Sequence, residues 1–166
     1  MTVQEQLSVK ALVLDHLKYT FEKESWQPPL STAVAGLTAQ QAAWKPAPER
    51  HSIWQIVRHV THWKRSVGEA LEGRPLSYEE LEETDWPEAT GDEAAWQADV
   101  RALFDITRRI REHAESMDET ALAERRVWYE GKTEWAQTAG IRLVRMATHD
   151  IYHSGQIRYL RALQGA

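Results

Sequence analysis

Between Trp96 and Met117 the chain repeats its buried-type side chains in steps of four and three: Trp96, Val100, Leu103, Thr107, Ile110, Ala114, Met117. A helix with this spacing carries one continuous stripe along one face, and that stripe is stable only when other helices cover it. The segment therefore points to helical packing before anything else is considered. Thr90-x-x-Glu93 precedes it and reads as a capping box, in which two side chains satisfy backbone amides of the first turn.

Three other segments share the helical period. The first runs from about Val3 to Ser25, opened by Thr2-x-x-Glu5 and carrying Leu7, Leu14, Leu17 and Phe21, with Trp26 and Pro28-Pro29 ending it. The second opens at Ser52, with Gln55 reaching back, carries Ile53, Ile56, Val60, Val67 and Leu71, and closes near Gly73. The last begins between Thr133 and Ile141 and continues to Gln164, with Gly165 as its terminator.

The connections are also readable. A short helical piece starts at Thr38-x-x-Gln41 and stops before Lys45-Pro46-Ala47-Pro48. Residues 74–91 hold Glu79, Glu80, Glu82, Glu83 and Asp85 and form a surface crossover with room for one helical turn. Residues 118–132 read as a loop over one end of the bundle. No alternation is long enough for a sheet, and no internal repeat is present. The expected fold is all-α, a four-helix bundle with a long crossover connection, as a single domain over residues 1–166.

Composition narrows the function classes. Lys and Arg number 20 against 25 Asp and Glu, a net charge of −5, which opposes a nucleic-acid partner. The chain has no cysteine, so disulfides, thiolate metal sites and protein thiol nucleophiles are excluded. The opening MTVQEQLSVK lacks a basic region followed by an apolar run, and no stretch approaches the roughly 18 apolar residues of a membrane span. The expectation is a cytoplasmic protein without a membrane partner. The eight tryptophans are expected mostly in the core, each indole N–H near an acceptor.

His149 and His153 are four apart on the last helix, so they project from one face a turn apart, a spacing at which one ion takes two imidazoles. Their stripe also holds Arg142, Arg145, Met146, Gln156 and Leu160. On the second helix His59 shares a stripe with Ser52, Gln55, Trp63 and Ser66, while His62 lies about 60° aside, which makes His59 the better third ligand. Three neutral imidazoles would leave positions on a divalent ion for water or substrate. Seven histidines in this length place some pair four apart by chance on the order of a quarter of the time. Spacing alone therefore leaves two readings open: an ion's ligands, or core histidines bonded within the protein. His16, His51 and His113 have no partner at chelating spacing and are assigned to surface or capping positions. The di-iron pattern Glu-x-x-His and the motif His-Glu-x-x-His are both absent, which favours a mononuclear site.

The string His149-Asp-Ile-Tyr-His153-Ser-Gly-Gln156-Ile, preceded by Trp44-Lys-Pro and Ser52-Ile-Trp-Gln-Ile-Val-Arg-His59-Val, resembles the DinB/YfiT-like family over nearly the whole chain. The resemblance implies a four-helix bundle with a long crossover and one divalent ion, Zn2+ or Ni2+ ahead of Fe2+ or Mn2+, on residues matching His59, His149 and His153. It also implies activity similar to mycothiol-dependent maleylpyruvate isomerase and bacillithiol S-transferases, in which the metal activates a low-molecular-weight thiol. A metal-bound thiol ionises without help from a protein cysteine. On that reading Arg142 and Arg145 would meet the carboxylates of the thiol, and Gln156 and Gln55 would support the ligands from behind. The expected partners are a small-molecule substrate and, as the commonest assembly for a small bundle, a second copy in a homodimer. Two other functions compete with the enzyme: a non-catalytic metal or small-ligand binding module, and a stress-related dimerising scaffold with incidental histidines.

Overall fold

The computed structural model describes residues 7–166 of the 166-residue chain. Four long helices form the frame: α1 (Val9–Phe21), α4 (Ile53–Leu71), α6 (Glu93–Ser116) and α8 (Ala139–Gln164). Between them lie α2 (Leu30–Val34), α3 (Ala39–Ala43), α5 (Tyr78–Glu83) and α7 (Glu119–Ala123). The long helices pack chiefly in a ring, α1 on α8, α8 on α4, α4 on α6 and α6 on α1, with α2 and α3 closing one end. This is the expected helical bundle.

Local chemistry sets the helix ends. Ser52 and Gln55 make the capping box of α4, and Thr38 and Gln41 make that of α3, as the sequence indicates. Gly165 ends α8 at φ +69°, a left-handed conformation that costs glycine little. Two starts differ from expectation. Asp92, not Thr90, caps α6 by accepting from Ala95 N–H, because Glu93 is used elsewhere: its carboxylate accepts from the Ala39 amide at the start of α3. The Thr2-x-x-Glu5 box lies outside the described residues; among those described, α1 is capped by Ser8 and ends at Phe21, not Ser25.

The seam read along α6 faces the core. Trp96, Leu103, Thr107, Ile110 and Ala114 are buried, and α4 approaches it closely at Gly68, where an added Cβ would stand 3.0 Å from Ile106 Cδ1. Burying each large apolar side chain contributes about 1.5–3 kcal/mol. Trp54, Trp96 and Trp128 are sealed from water, and their indole N–H groups donate to Asp99, Leu37 O and Gln137 O. Trp26, Trp44 and Trp135 are exposed, contrary to the compositional expectation.

The apolar core forms two clusters. One contains Val67, Leu71, Leu143, Met146 and Ala147; the other contains Ile56, Val57, Val60, Ile157 and Leu160. Where α4 and α8 pass from one cluster to the other, their buried side chains include polar ones: His59, Lys64 and Ser66 on α4, Asp150, His153 and Ser154 on α8. The candidate site occupies this polar layer.

Two pairs of two-residue strands, too short to leave an alternating pattern in sequence, hold the connecting segments. β1 (Leu76–Ser77) pairs in parallel with β3 (Tyr129–Glu130), Leu76 opposite Tyr129. β2 (Arg125–Arg126) pairs antiparallel with β4 (Gln137–Thr138), Arg125 opposite Thr138. They tie the acidic crossover to the segment before α8 and bring Tyr78, Tyr129 and Gln137 toward the first turns of α8. Among the described residues no helix is long and apolar enough to cross a membrane.

Candidate metal centre

His59 projects from α4, and His149 and His153 project from α8, where these helices pack together. The Nε2 atom of His149 lies 3.2 Å from that of His59 and 2.9 Å from that of His153. One ligand atom from each of the three falls within 4.8 Å of the others. Nitrogens bound about 2.0–2.1 Å from one ion are separated by similar distances.

The opposite ring nitrogens are held from outside. Nδ1 of His59 is 2.7 Å from Asp85 Oδ1, and Nδ1 of His153 is 2.7 Å from Gln156 Oε1. A carboxylate or carbonyl oxygen can only accept, so both Nδ1 atoms donate, and each neutral ring turns an Nε2 lone pair toward the other histidines. Only His149 can supply a proton to these contacts, and it has one to give. At least one lone pair therefore faces another nitrogen without a hydrogen bond, an arrangement that a shared divalent cation resolves. The three imidazoles fit such an ion.

Electrostatics keep them in the required form. Burial, followed by the neighbouring His59, lowers the pKa of His149 to about 4; burial, followed by His149 and His59, lowers that of His153 to about 3. Burial also lowers His59, against the opposing pull of Asp85. Neutral imidazoles are ready to bind a metal without first losing a proton.

Several supporting groups were not legible in the sequence. Asp85 and Trp86 come from the crossover: Asp85 accepts from both His59 and the Trp63 indole, and the Trp86 ring stacks on His59 with centroids 3.9 Å apart and planes 7° apart. His51, expected to have no role, stacks on Trp86 at 3.7 Å while remaining exposed. Lys64 and Asp150 form an ion pair at 2.7 Å, each side chain only 1% exposed, directly beside His149 in sequence. Burial raises the Asp150 pKa and Lys64 opposes that shift.

The remaining candidates separate by position. Gln156 touches the site through His153. Gln55 is buried but accepts from Ser52 N–H to complete the α4 cap, and it bonds to none of the three imidazoles. Arg142 and Arg145 line a cavity of about 190 Å3 together with Trp63, Tyr129, Met146 and His149.

A profile of the DinB superfamily matches residues 27–157, a span that contains all three histidines. The chain belongs to the DinB superfamily. A solved structure described as a conserved protein of a locus from Enterococcus faecalis has the same fold as this DinB-superfamily chain, with a TM-score of 0.65 and 21% identity, covering 97% of this chain and 100% of that one. No curated protein matches it. Superfamily membership and the three-histidine cluster agree on a site that can hold a metal ion.

Proposed function

We propose that this chain is a metal-dependent enzyme that binds a low-molecular-weight thiol, or water, at an open position of the His59, His149 and His153 centre, with S-transfer as its reaction class. The supporting observation is the space beside the site: His149 borders a cavity lined by Arg142 and Arg145, and His153 borders a separate one with Trp86 and Gln156, while Asp85 and Gln156 hold the far nitrogens of His59 and His153. Neutral imidazoles suit Zn2+ or Ni2+, then Fe2+, better than Mn2+ or the hard ions that prefer oxygen. An ion held there would lower the pKa of a bound thiol or water, so that the nucleophile exists at neutral pH in a protein without cysteine.

The chain's own residues do the rest. Asp85 and Gln156 fix which nitrogen of His59 and His153 carries the proton. Trp86 covers one face of His59. The Lys64–Asp150 pair joins α4 to α8 at the level of the histidines.

One observation favours a second reading, a non-catalytic module that captures a metal or small ligand. Among the described residues the cavity wall carries no carboxylate and no histidine besides His149, which leaves Tyr129, a phenol that ordinarily holds its proton at neutral pH, as the proton-transfer group there. The deciding experiment loads the protein with Zn2+ or Ni2+ and screens small thiols against an aryl halide acceptor. Thiol-dependent turnover that disappears in His59→Ala supports the enzyme; one bound ion per chain with no turnover favours capture. We also propose a homodimer, supported by exposed Tyr152, Tyr159 and Leu163 along one side of α8, and a monomer in light scattering would contradict it.

A further inference from the structure

The cavity beside His149 carries positive charge that no carboxylate among the described residues balances, and the geometry points to a subsite for the carboxylate of an anionic ligand, anchored by Arg142 and assisted by Arg145. It deepens the proposed function, resting on the three-histidine centre as the place the ligand's other end reaches, and it names a substrate class: a small organic acid with a metal-binding atom, such as a mercapto acid.

Arg142 is the central observation. Its Nη2 donates to the Tyr129 hydroxyl, while its Nε is buried without a partner. The guanidinium lies 4.6 Å from the Tyr129 ring centre and 5.6 Å from that of Trp128, so aromatic faces hold it in place without neutralising it. Among the described residues neither Arg142 nor Arg145 has a carboxylate within ion-pair distance, whereas Arg58, Arg74, Arg108, Arg109, Arg111 and Arg126 all do. Other arginines without such a partner, among them Arg65 and Arg101, are exposed to water; Arg142 differs in having its Nε buried.

Arg142 and Arg145 are three residues apart, so their like charges share one side of α8, an unfavourable arrangement that an anion between them reverses. Burial, followed by Arg145, lowers the Arg142 pKa to about 10, which leaves it charged at neutral pH. A half-buried cation whose Nε is shut off from water and unpaired gains from an anionic partner, and here the open direction is the cavity.

Placement supports the same conclusion. His149 follows Arg145 by four residues and Arg142 by seven, about 6 and 10 Å along the helix axis. Trp63, Tyr129, Arg142 and Arg145 also line an adjoining space of about 560 Å3 on the outer side. A ligand entering from there meets both arginines before it reaches His149, and Trp63, Val67, Tyr129 and Met146 enclose its apolar body.

The test uses two probes. Propionate is titrated into metal-free and Zn2+-loaded protein while the Arg142 Nε–H resonance is followed. Separately, 3-mercaptopropionate and neutral 2-mercaptoethanol are titrated into Co2+-loaded protein, read by the sulfur-to-metal absorption band. The expected results are a saturable shift of Arg142 Nε–H with propionate, loss of propionate binding by calorimetry in Arg142→Met, and a preference of roughly tenfold to a hundredfold for the mercapto acid. Arg142→Met should remove that preference while leaving 2-mercaptoethanol affinity and metal content unchanged, and Arg142→Lys should retain part of it. No propionate binding at Arg142, or equal affinity for both thiols in the wild type, overturns the subsite. Propionate binding at Arg142 with no sulfur band from either thiol sustains the subsite and instead removes the thiol from the proposed function.

Discussion

Asp85 Oδ1 lies 2.7 Å from Nδ1 of His59, joining a crossover loop to a histidine in the middle of α4. The same oxygen accepts from the Trp63 indole, so the carboxylate is held from two sides and in turn holds the ring. Groups in this position orient the imidazole and increase its basicity, and losing one typically costs 10–100-fold in metal affinity. Asp85→Ala should therefore weaken binding of Zn2+ by about 10–100-fold without abolishing it, as measured by competition with a chromophoric chelator. Unchanged affinity would show that the contact does not support the site.

Lys64 and Asp150 give a second expectation. Removing one member of a sealed ion pair leaves an uncompensated charge, at a cost of about 3–5 kcal/mol, whereas replacing both with apolar groups is often neutral. Lys64 Nζ already lies 5.0 Å from the Phe21 ring, so an apolar side chain would have suitable neighbours there. Urea unfolding should show Lys64→Met strongly destabilised and Lys64→Met/Asp150→Leu restored to near wild type. Equal destabilisation in the two variants would contradict this account.

Acid should destabilise the metal-free protein through the histidines themselves. Their pKa values in the folded state, about 4 for His149 and about 3 for His153, lie below the ordinary value of 6.5. Between these limits the unfolded chain binds more protons, so stability is fully present above pH 6.5 and is lost as pH falls toward 4. Each histidine adds at most about 1.4 kcal/mol per pH unit in that window. Urea midpoints at pH 7 and pH 5 should differ clearly in the wild type and much less in His149→Gln/His153→Gln. The same pH slope in both proteins would refute the assignment.

The parts of this site that were legible in sequence are those governed by helical periodicity. His59, His149 and His153 lie on two regular helices, so counting turns places them on inward faces, and the Ser52–Gln55 box and Gly165 mark the ends of α4 and α8. Asp85 and Trp86 follow a different rule. They belong to an acidic loop whose path depends on the pairing of β1 with β3, a contact between segments some fifty residues apart in which each strand is two residues long. Lys64 leaves no sign in sequence of its burial, which depends on Asp150 and Phe21 closing around it in the fold. Gln55 shows the converse error: its place on the His59 stripe suggested support for the ligands, but the helix start needed its carbonyl first.

The central claim is that His59, His149 and His153 together hold one divalent ion. The most direct test is elemental analysis of protein purified without a metal-binding tag, beside His59→Ala, His149→Ala and His153→Ala variants confirmed to be folded. The account expects about one ion per chain in the wild type and loss of that ion in each of the three variants. No metal in the wild type even after incubation with Zn2+ or Ni2+, or full retention in any folded variant, would contradict it.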